Sequence, residues 1–400
     1  MSYGIFKISS QIHKKSGLFQ QNLSTLSSFT QEIFSGIRVI KAYAIEVKKQ
    51  NEFNTLTNDS REKAMDLAKT NALFGPLLIL LIGLSNLIVI YVGGNMYING
   101  TIPDFGVIAQ FVLYINMLTW PVASLGWVSS LVQEAEASQK RINEFLKEEP
   151  EIKNTNQNHT SIEGTIKFDQ VSFEYDDTNI KALDNISFEV KKGKTLAILG
   201  KTGSGKSTLL TLISRLYDTN SGTVYIDNKD IKDLNLFDLR NQISVVPQDA
   251  FLFSDSIKNN IKFGNEMATD EEVIEAAKKG VVHDNIMTFN HQYETILGER
   301  GITLSGGQKQ RVSIARALIK NAPVLLLDDC LSAVDTETEE TILNNLLTYC
   351  KDKTTIIVSH RISSAKNADS IIILDEGKIV EQGTHSQLVE LNGYYKELYL

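Results

Sequence analysis

Gly200-Lys201-Thr202-Gly203-Ser204-Gly205-Lys206-Ser207 spells G-x-x-x-x-G-K-S, and its flanks decide how the chain folds. The apolar run Thr195 to Leu199 precedes it and reads as a strand; Thr208 to Ile213 follows and reads as the first turns of a helix. Strand, glycine-rich loop and helix in that order make a P-loop, which wraps a nucleotide triphosphate. Gly200, Gly203 and Gly205 let the backbone approach phosphate closely, so that successive N–H groups around Thr202, Ser204 and Thr208 point inward. The helix start adds a partial positive charge at the same place. Lys206 supplies a mobile point charge for the β/γ-phosphates, and Ser207 offers a hydroxyl to Mg²⁺.

About a hundred residues further on, Leu304-Ser305-Gly306-Gly307-Gln308 stands directly before a helical run, Lys309 to Ile319. Ser305 is a good N-cap, and the two glycines again expose backbone N–H groups at a helix start. Two phosphate-ready helix starts lie too far apart to share one contiguous loop. With this second motif the sequence resembles the ABC (ATP-binding cassette) ATPases, whose signature is LSGGQ. The resemblance implies an α/β P-loop NTPase cassette, with a RecA-like core, an antiparallel β layer and a helical subdomain. Here that cassette is fused to an α-helical membrane domain fragment.

The rest of the cassette reads in the same order as the family. Strand-like alternation at Ile166 to Phe168, Val171 to Phe173 and Ile186 to Val190 predicts the antiparallel layer. Val324 to Asp328 is an unbroken apolar run ending in a carboxylate, as a fully buried parallel strand reads. A carboxylate there reaches the Mg²⁺ shell beside the P-loop, and the run matches Walker B. The remaining roles are implied by the resemblance. Tyr175 is similar to the aromatic that stacks on adenine, and Gln248 to the Q-loop glutamine that ligates Mg²⁺ or water. His360 is similar to the switch histidine at the γ-phosphate. Ser332-Ala333-Val334-Asp335 is similar to the D-loop at a dimer seam, and Gly298-Glu299-Arg300-Gly301 to the exporters' X-loop. Asp329 stands where the family usually places a glutamate that aligns the attacking water. Its side chain is one methylene shorter, so its oxygens stop roughly 1.5 Å short. The resemblance thus assigns Asp329, His360 and Gln248 to catalysis, and Ser207, Gln248 and Asp328 to Mg²⁺. ATP falls to Tyr175, the P-loop from Gly200 to Thr208, Ser305, Gly306, Gly307, Gln308 and Asp335.

The N-terminal part has another character. Asp104 is the only charged residue between Lys69 and Glu134. Ala72 to Ile98 and Phe105 to Val132 are each long enough to cross a hydrocarbon core of about 30 Å. The turn between them, Asn99 to Asp104, carries no Lys or Arg, whereas the flanks carry Lys63, Lys69, Lys140, Arg141 and Lys147. That asymmetry places the turn outside and both flanks in the cytoplasm of a multi-pass protein of the cell (inner) membrane. Residues 1–70 read as a long, mostly polar helical region. Its segment Gln31 to Tyr43 is similar to the coupling segment of lipid-flippase-like and multidrug half-transporters. The two apolar stretches are then similar to the last two membrane helices of such proteins, so residues 1–150 resemble part of an exporter membrane domain and the chain reads as truncated. Residues 151–164, rich in Asn, Thr and Glu, read as a linker to the cassette at 165–400.

Composition closes off other classes. The net charge of −8 speaks against nucleic-acid binding. Two cysteines, Cys330 and Cys350, make no disulfide framework and fit a reducing cytoplasm. Residues 1–30 are polar and do not read as a signal peptide. No His/Cys cluster has zinc spacing. The expectation is an ATPase subunit of an exporter for a lipidic or amphipathic drug-like molecule, in contact with membrane lipid and paired with a second half-transporter. The alternatives are a regulatory half of a heterodimer or an inactive fragment, and an ABC ATPase without transport.

Overall fold

The computed structural model describes residues 2–298, 301–331, 334, 336–391 and 393–399. For 2–6, 9, 122, 123, 125–127, 129, 130, 133, 336, 347, 398 and 399 it describes the backbone alone. The chain divides into two compact units, Met1–Glu149 and Pro150–Leu400.

The first unit is helical: α1 (Ser2–Ser35), α2 (Ile37–Ala42), α3 (Glu46–Ile98) and α4 (Gly106–Lys147). Polar ties join α1 to α3, where Asn22 donates to Asp59 at 2.6 Å and Lys15 reaches Asp66 and Thr70. Among the described residues, Ile40 and Ile108 are the unit's only buried hydrophobic side chains. Helices this apolar with so little water-excluded core are built to face lipid or other protein. One helix, α3, is long and apolar enough to cross a membrane; the apolar part of α4, Gly106–Pro121, is shorter, and several side chains beyond it lie outside the described residues. The polar stretch up to residue 70 and the apolar stretch after it are one continuous helix, with Pro76 inside it. Proline removes one backbone donor and is tolerated where neighbours, not water, meet the freed carbonyl.

In the second unit β1 (Ile166–Tyr175), β2 (Ile180–Val190), β3 (Thr195–Gly200), α5 (Lys206–Ile213), β4 (Ser221–Ile226) and β5 (Lys229–Asp230) come first. Next are α6 (Leu236–Asn241), β6 (Ile243–Val246), α7 (Ile257–Lys262), α8 (Asp270–Lys279), α9 (His283–Met287), α10 (Gly306–Ile319) and β7 (Val324–Asp328). The chain closes with α11 (Thr336–Tyr349), β8 (Thr354–Val358), α12 (Ile362–Ala365), β9 (Ser370–Asp375), β10 (Lys378–Gly383), α13 (His385–Glu390) and α14 (Tyr394–Tyr399). An antiparallel sheet runs β2-β1-β4-β5, and a second sheet runs β10-β9-β3-β8-β7-β6, parallel except for β10.

The apolar runs are continuous because both faces of the second sheet are covered. Along β7, Val324 and Leu326 enter the core shared with the antiparallel layer, while Leu325 and Leu327 enter a core with α10 and α11. Along β3, Leu196 and Ile198 face the first core and Ala197 and Leu199 face a core closed by Tyr395 and Leu388. Each fully buried Leu or Ile contributes about 1.5–3 kcal/mol. A fourth core gathers α7, α8, α9 and α10 around Ile261, Val273 and Val312.

The segment expected to be a linker is tied down along much of its length. Thr160 and Ile162 are buried. Asn154 accepts from the Leu236 N–H, and Asn156 donates to the Asp233 carbonyl. The Asp227 carboxylate accepts from the N–H groups of Glu163, Gly164 and Thr165. Residues 152–164 form no helix or strand, yet they are a strap on the cassette.

Candidate nucleotide site

Register builds the site. Strand β3 lies beside β8, and β8 beside β7, with Ile198 opposite Val358 and Val358 opposite Asp328. Their carboxyl ends therefore finish level, which sets the P-loop, Asp328-Asp329 and Ser359-His360 side by side. Ligands of open parallel sheets collect outside this end. A cleft of about 280 Å³ opens there, lined by Tyr175, Thr202, Gly203, Gly205, Lys206, Ser207, Thr208, Gln248, Asp328, Asp329 and His360.

The P-loop glycines have separate duties. Gly205 sits at φ +96°, and a Cβ there would run into the Ala182 carbonyl, so both conformation and space require glycine. Gly203 sits at φ +81° with open space where a Cβ would be. Ser204 Oγ is buried and has no hydrogen-bond partner among the described residues. Lys206 donates to the carbonyls of Gly200 at 2.9 Å and Lys201 at 2.6 Å, the loop it would leave for a phosphate. Burial pulls its ammonium below the ordinary lysine value, against the pull of Asp329 and Asp328.

Ser207 Oγ donates to the Asp328 carboxylate at 3.0 Å. Burial raises the Asp328 carboxyl above its ordinary value; Asp329 adds to the rise, and Ser207, Lys206 and His360 oppose it. A hydroxyl and a carboxylate in contact, with the Gln248 amide on the same cleft, form a hard-oxygen set suited to a small divalent cation. Asp329 follows at φ +41°, a left-handed backbone, its N–H bound to the Val358 carbonyl at 2.9 Å. Tyr175 is half-buried. Its hydroxyl pairs with Thr208 Oγ1 at 3.1 Å, and its ring packs edge-on against Phe173 and Tyr217.

The signature is elsewhere. Ser305 caps α10 in a capping box: its hydroxyl accepts from the Gln308 N–H, and Gln308 accepts from the Ser305 N–H at 2.9 Å. Ser305 and Gly306 are exposed, and none of Ser305, Gly306, Gly307 or Gln308 lines the P-loop cleft. Ser332, Ala333, Asp335, Glu299 and Arg300 lie outside the described residues. Sequence reading missed the Tyr175–Thr208 bond, the left-handed Asp329 and Glu339, a buried carboxylate behind the His360 loop.

Together these features define a P-loop ATPase cassette joined to a helical membrane unit. Residues 183–332 match the ABC transporter family and residues 1–122 match the ABC transporter transmembrane region. The chain is 38% identical to the multidrug resistance-like ATP-binding protein MdlA of Escherichia coli, over 97% of this chain and 66% of that protein. It is 39% identical to the probable multidrug resistance ABC transporter ATP-binding/permease protein YheI of Bacillus subtilis, over 100% of this chain and 68% of that protein. A solved structure of a bacterial Atm1-family ABC exporter with ATP bound superposes with a TM-score of 0.87 at 29% identity, over 100% of this chain and 71% of that one. The chain belongs to the ABC transporter family, as an exporter-type polypeptide that joins membrane region and ATP-binding domain. It spans about two thirds of the length of the curated relatives it matches.

Proposed function

We propose that the chain hydrolyses ATP and couples that reaction to export or flipping of a lipidic or amphipathic drug-like molecule, paired with a second ABC half-transporter. The observation that carries this is the division of the site. Lys206, Ser207, Asp328, Asp329, Gln248 and His360 share one cleft, while Ser305 to Gln308 stand outside it on an exposed helix start. A cleft that holds these six groups without the signature is half of a site that a second cassette completes.

Tyr175 offers its ring to the adenine once its hydroxyl leaves Thr208. The P-loop N–H groups cradle the phosphates, and Lys206 turns from the carbonyls of Gly200 and Lys201 to the β/γ-phosphate oxygens. Ser207, Gln248 and Asp328 would hold Mg²⁺, which would supply neutralisation of the charge on those oxygens. Asp329 orients a water toward the γ-phosphorus and accepts its proton; the water oxygen bonds to that phosphorus as the bond to the β-phosphate oxygen breaks, leaving ADP and phosphate. His360 donates to the γ-phosphate as charge builds. Ser305, Gly306, Gly307 and Gln308 present their helix start to the γ-phosphate held by the partner, and Asp335 belongs to the seam. The helical unit sits in the cell membrane with spans at 72–98 and 105–132, and the cassette lies in the cytoplasm.

The short arm of Asp329 favours a second reading, a half-site of low turnover in a heterodimer. The test for the main reading is Mg-ATP binding and steady-state ATPase of the full chain in lipid vesicles beside Lys206→Ala. Strong loss in the variant is expected. Unchanged binding and hydrolysis would remove the P-loop assignment.

A further inference from the structure

Glu339 is one of the most deeply buried charged side chains in the cassette, with about 3% of its side chain exposed. It sits in the first turn of α11, four residues after Asp335, and lines no part of the nucleotide cleft. A buried carboxylate is strongly destabilising unless its oxygens are matched by donors. Among the described residues, its donors come from the segment just after His360. Arg361 Nη1 pairs with Oε2, Ser363 Oγ donates to Oε1 at 2.9 Å, and Ser364 Oγ donates to Oε1 at 3.3 Å. On the other side of His360, the Ser359 N–H is bound to the Ile198 carbonyl at 3.1 Å, and Ser359 Oγ accepts from the Arg361 N–H at 3.0 Å. His360 thus stands between two clamps, exposed and on the cleft wall.

We propose that Glu339 is a positioning residue for the reaction: its carboxylate holds Arg361, Ser363 and Ser364 so that the His360 ring is presented to the γ-phosphate. This rests on the reading of His360 given above. Packing alone needs no charge here, because α12 is only four residues long and a neutral side chain would fill the same volume. The carboxylate matches a guanidinium and two hydroxyls at once, which fixes direction as well as contact. A displacement of about 1 Å at a catalytic group costs on the order of 100-fold in rate. Binding of the nucleotide rests on the P-loop, which Glu339 does not touch. Losing the clamp therefore lowers kcat and leaves KM nearly unchanged.

The test uses the full chain in lipid vesicles: the parent, Glu339→Gln, His360→Ala and the double variant. Steady-state ATPase and binding of a fluorescent ATP analogue with Mg²⁺ are measured for each. Glu339→Gln is expected to lower kcat roughly tenfold or more, with KM and analogue binding within about twofold. In the His360→Ala background the same substitution is expected to add little, because its effect runs through that ring. Arg361→Gln, at a side chain 42% exposed, repeats the pattern from the other partner should Glu339→Gln fold poorly. A full additive loss in the double variant, or a fall in thermal midpoint with kcat unchanged, overturns the proposal. If His360→Ala itself hydrolyses ATP like the parent, the assignment of His360 is wrong, which overturns the clamp's role with it.

Discussion

Lengthening one side chain tests the weakest joint of the proposed reaction. Asp329 follows the last residue of β7, its N–H is held by Val358, and its carboxylate shares a cleft with Lys206 and Asp328. Asp329→Glu extends the arm by one methylene, roughly 1.5 Å. If the aspartate stops short of the water, a misplacement of about 1 Å accounts for on the order of 100-fold in rate. Turnover should then rise roughly 10- to 100-fold. The backbone adds a second signature. At φ +41° aspartate and asparagine are tolerated better than glutamate, whose longer side chain has no local hydrogen bond to offer. Asp329→Glu should therefore lower stability by up to about 1 kcal/mol, about 2–4 °C in thermal midpoint for a cassette of this size. Asp329→Asn keeps the left-handed turn, so its midpoint should hold while its turnover falls below the parent's. The assay is steady-state ATPase with a thermal melt of the three proteins, in the assembled form each requires, and nucleotide affinity should barely change. Should Asp329→Asn hydrolyse ATP as fast as the parent, Asp329 is not the base, and the low-turnover reading takes its place.

Gly306→Asp should abolish ATP-dependent association while the P-loop still binds nucleotide, measured by sizing and analogue binding; loss of binding in the monomer would mean that the signature serves its own chain. Asp227→Ala removes the acceptor for three backbone N–H groups from residue 163 to 165, at a position with φ +50°. It should cost about 2–3 kcal/mol, and a melt within a degree or so of the parent's would show that the strap contributes nothing. Cysteines placed at Asn99 and Lys140 should differ in intact cells, the first open to an impermeant reagent and the second closed; equal labelling contradicts the two-span topology.

The parts legible in the sequence are those governed by short-range rules. Thr195 to Leu199, the P-loop and the following turns appear where periodicity and glycine spacing put them, as β3, the loop and α5. Val324 to Asp328 is a buried strand because two cores demand apolar residues on both faces. Ser305 caps α10 as a Ser-x-x-Gln box should. What stayed hidden depends on distant partners. Residues 152–164 look like a linker because they are polar, but that polarity serves Asp227 and Asn235, some 60–80 residues away. Glu339 reads as one more acid on a helix until the fold brings Arg361 and two serines to it. The left-handed turn at Asp329 carries no mark in composition, since neither glycine nor asparagine announces it. The polar region up to residue 70 and the apolar span from 72 join in one helix, because a helix registers backbone geometry and not the medium outside.

The exposed signature at Ser305 and Gly306, set apart from the P-loop cleft, has a kinetic corollary. If two copies must meet to form one reaction centre, the rate in dilute detergent scales with the square of protein concentration until association saturates. Confinement to a bilayer, where copies share a plane and a common orientation, raises the effective local concentration without any new contact. A preparation inert at nanomolar strength would then wake on reconstitution, and a copy disabled at Lys206 would still lend its signature to the intact copies it meets.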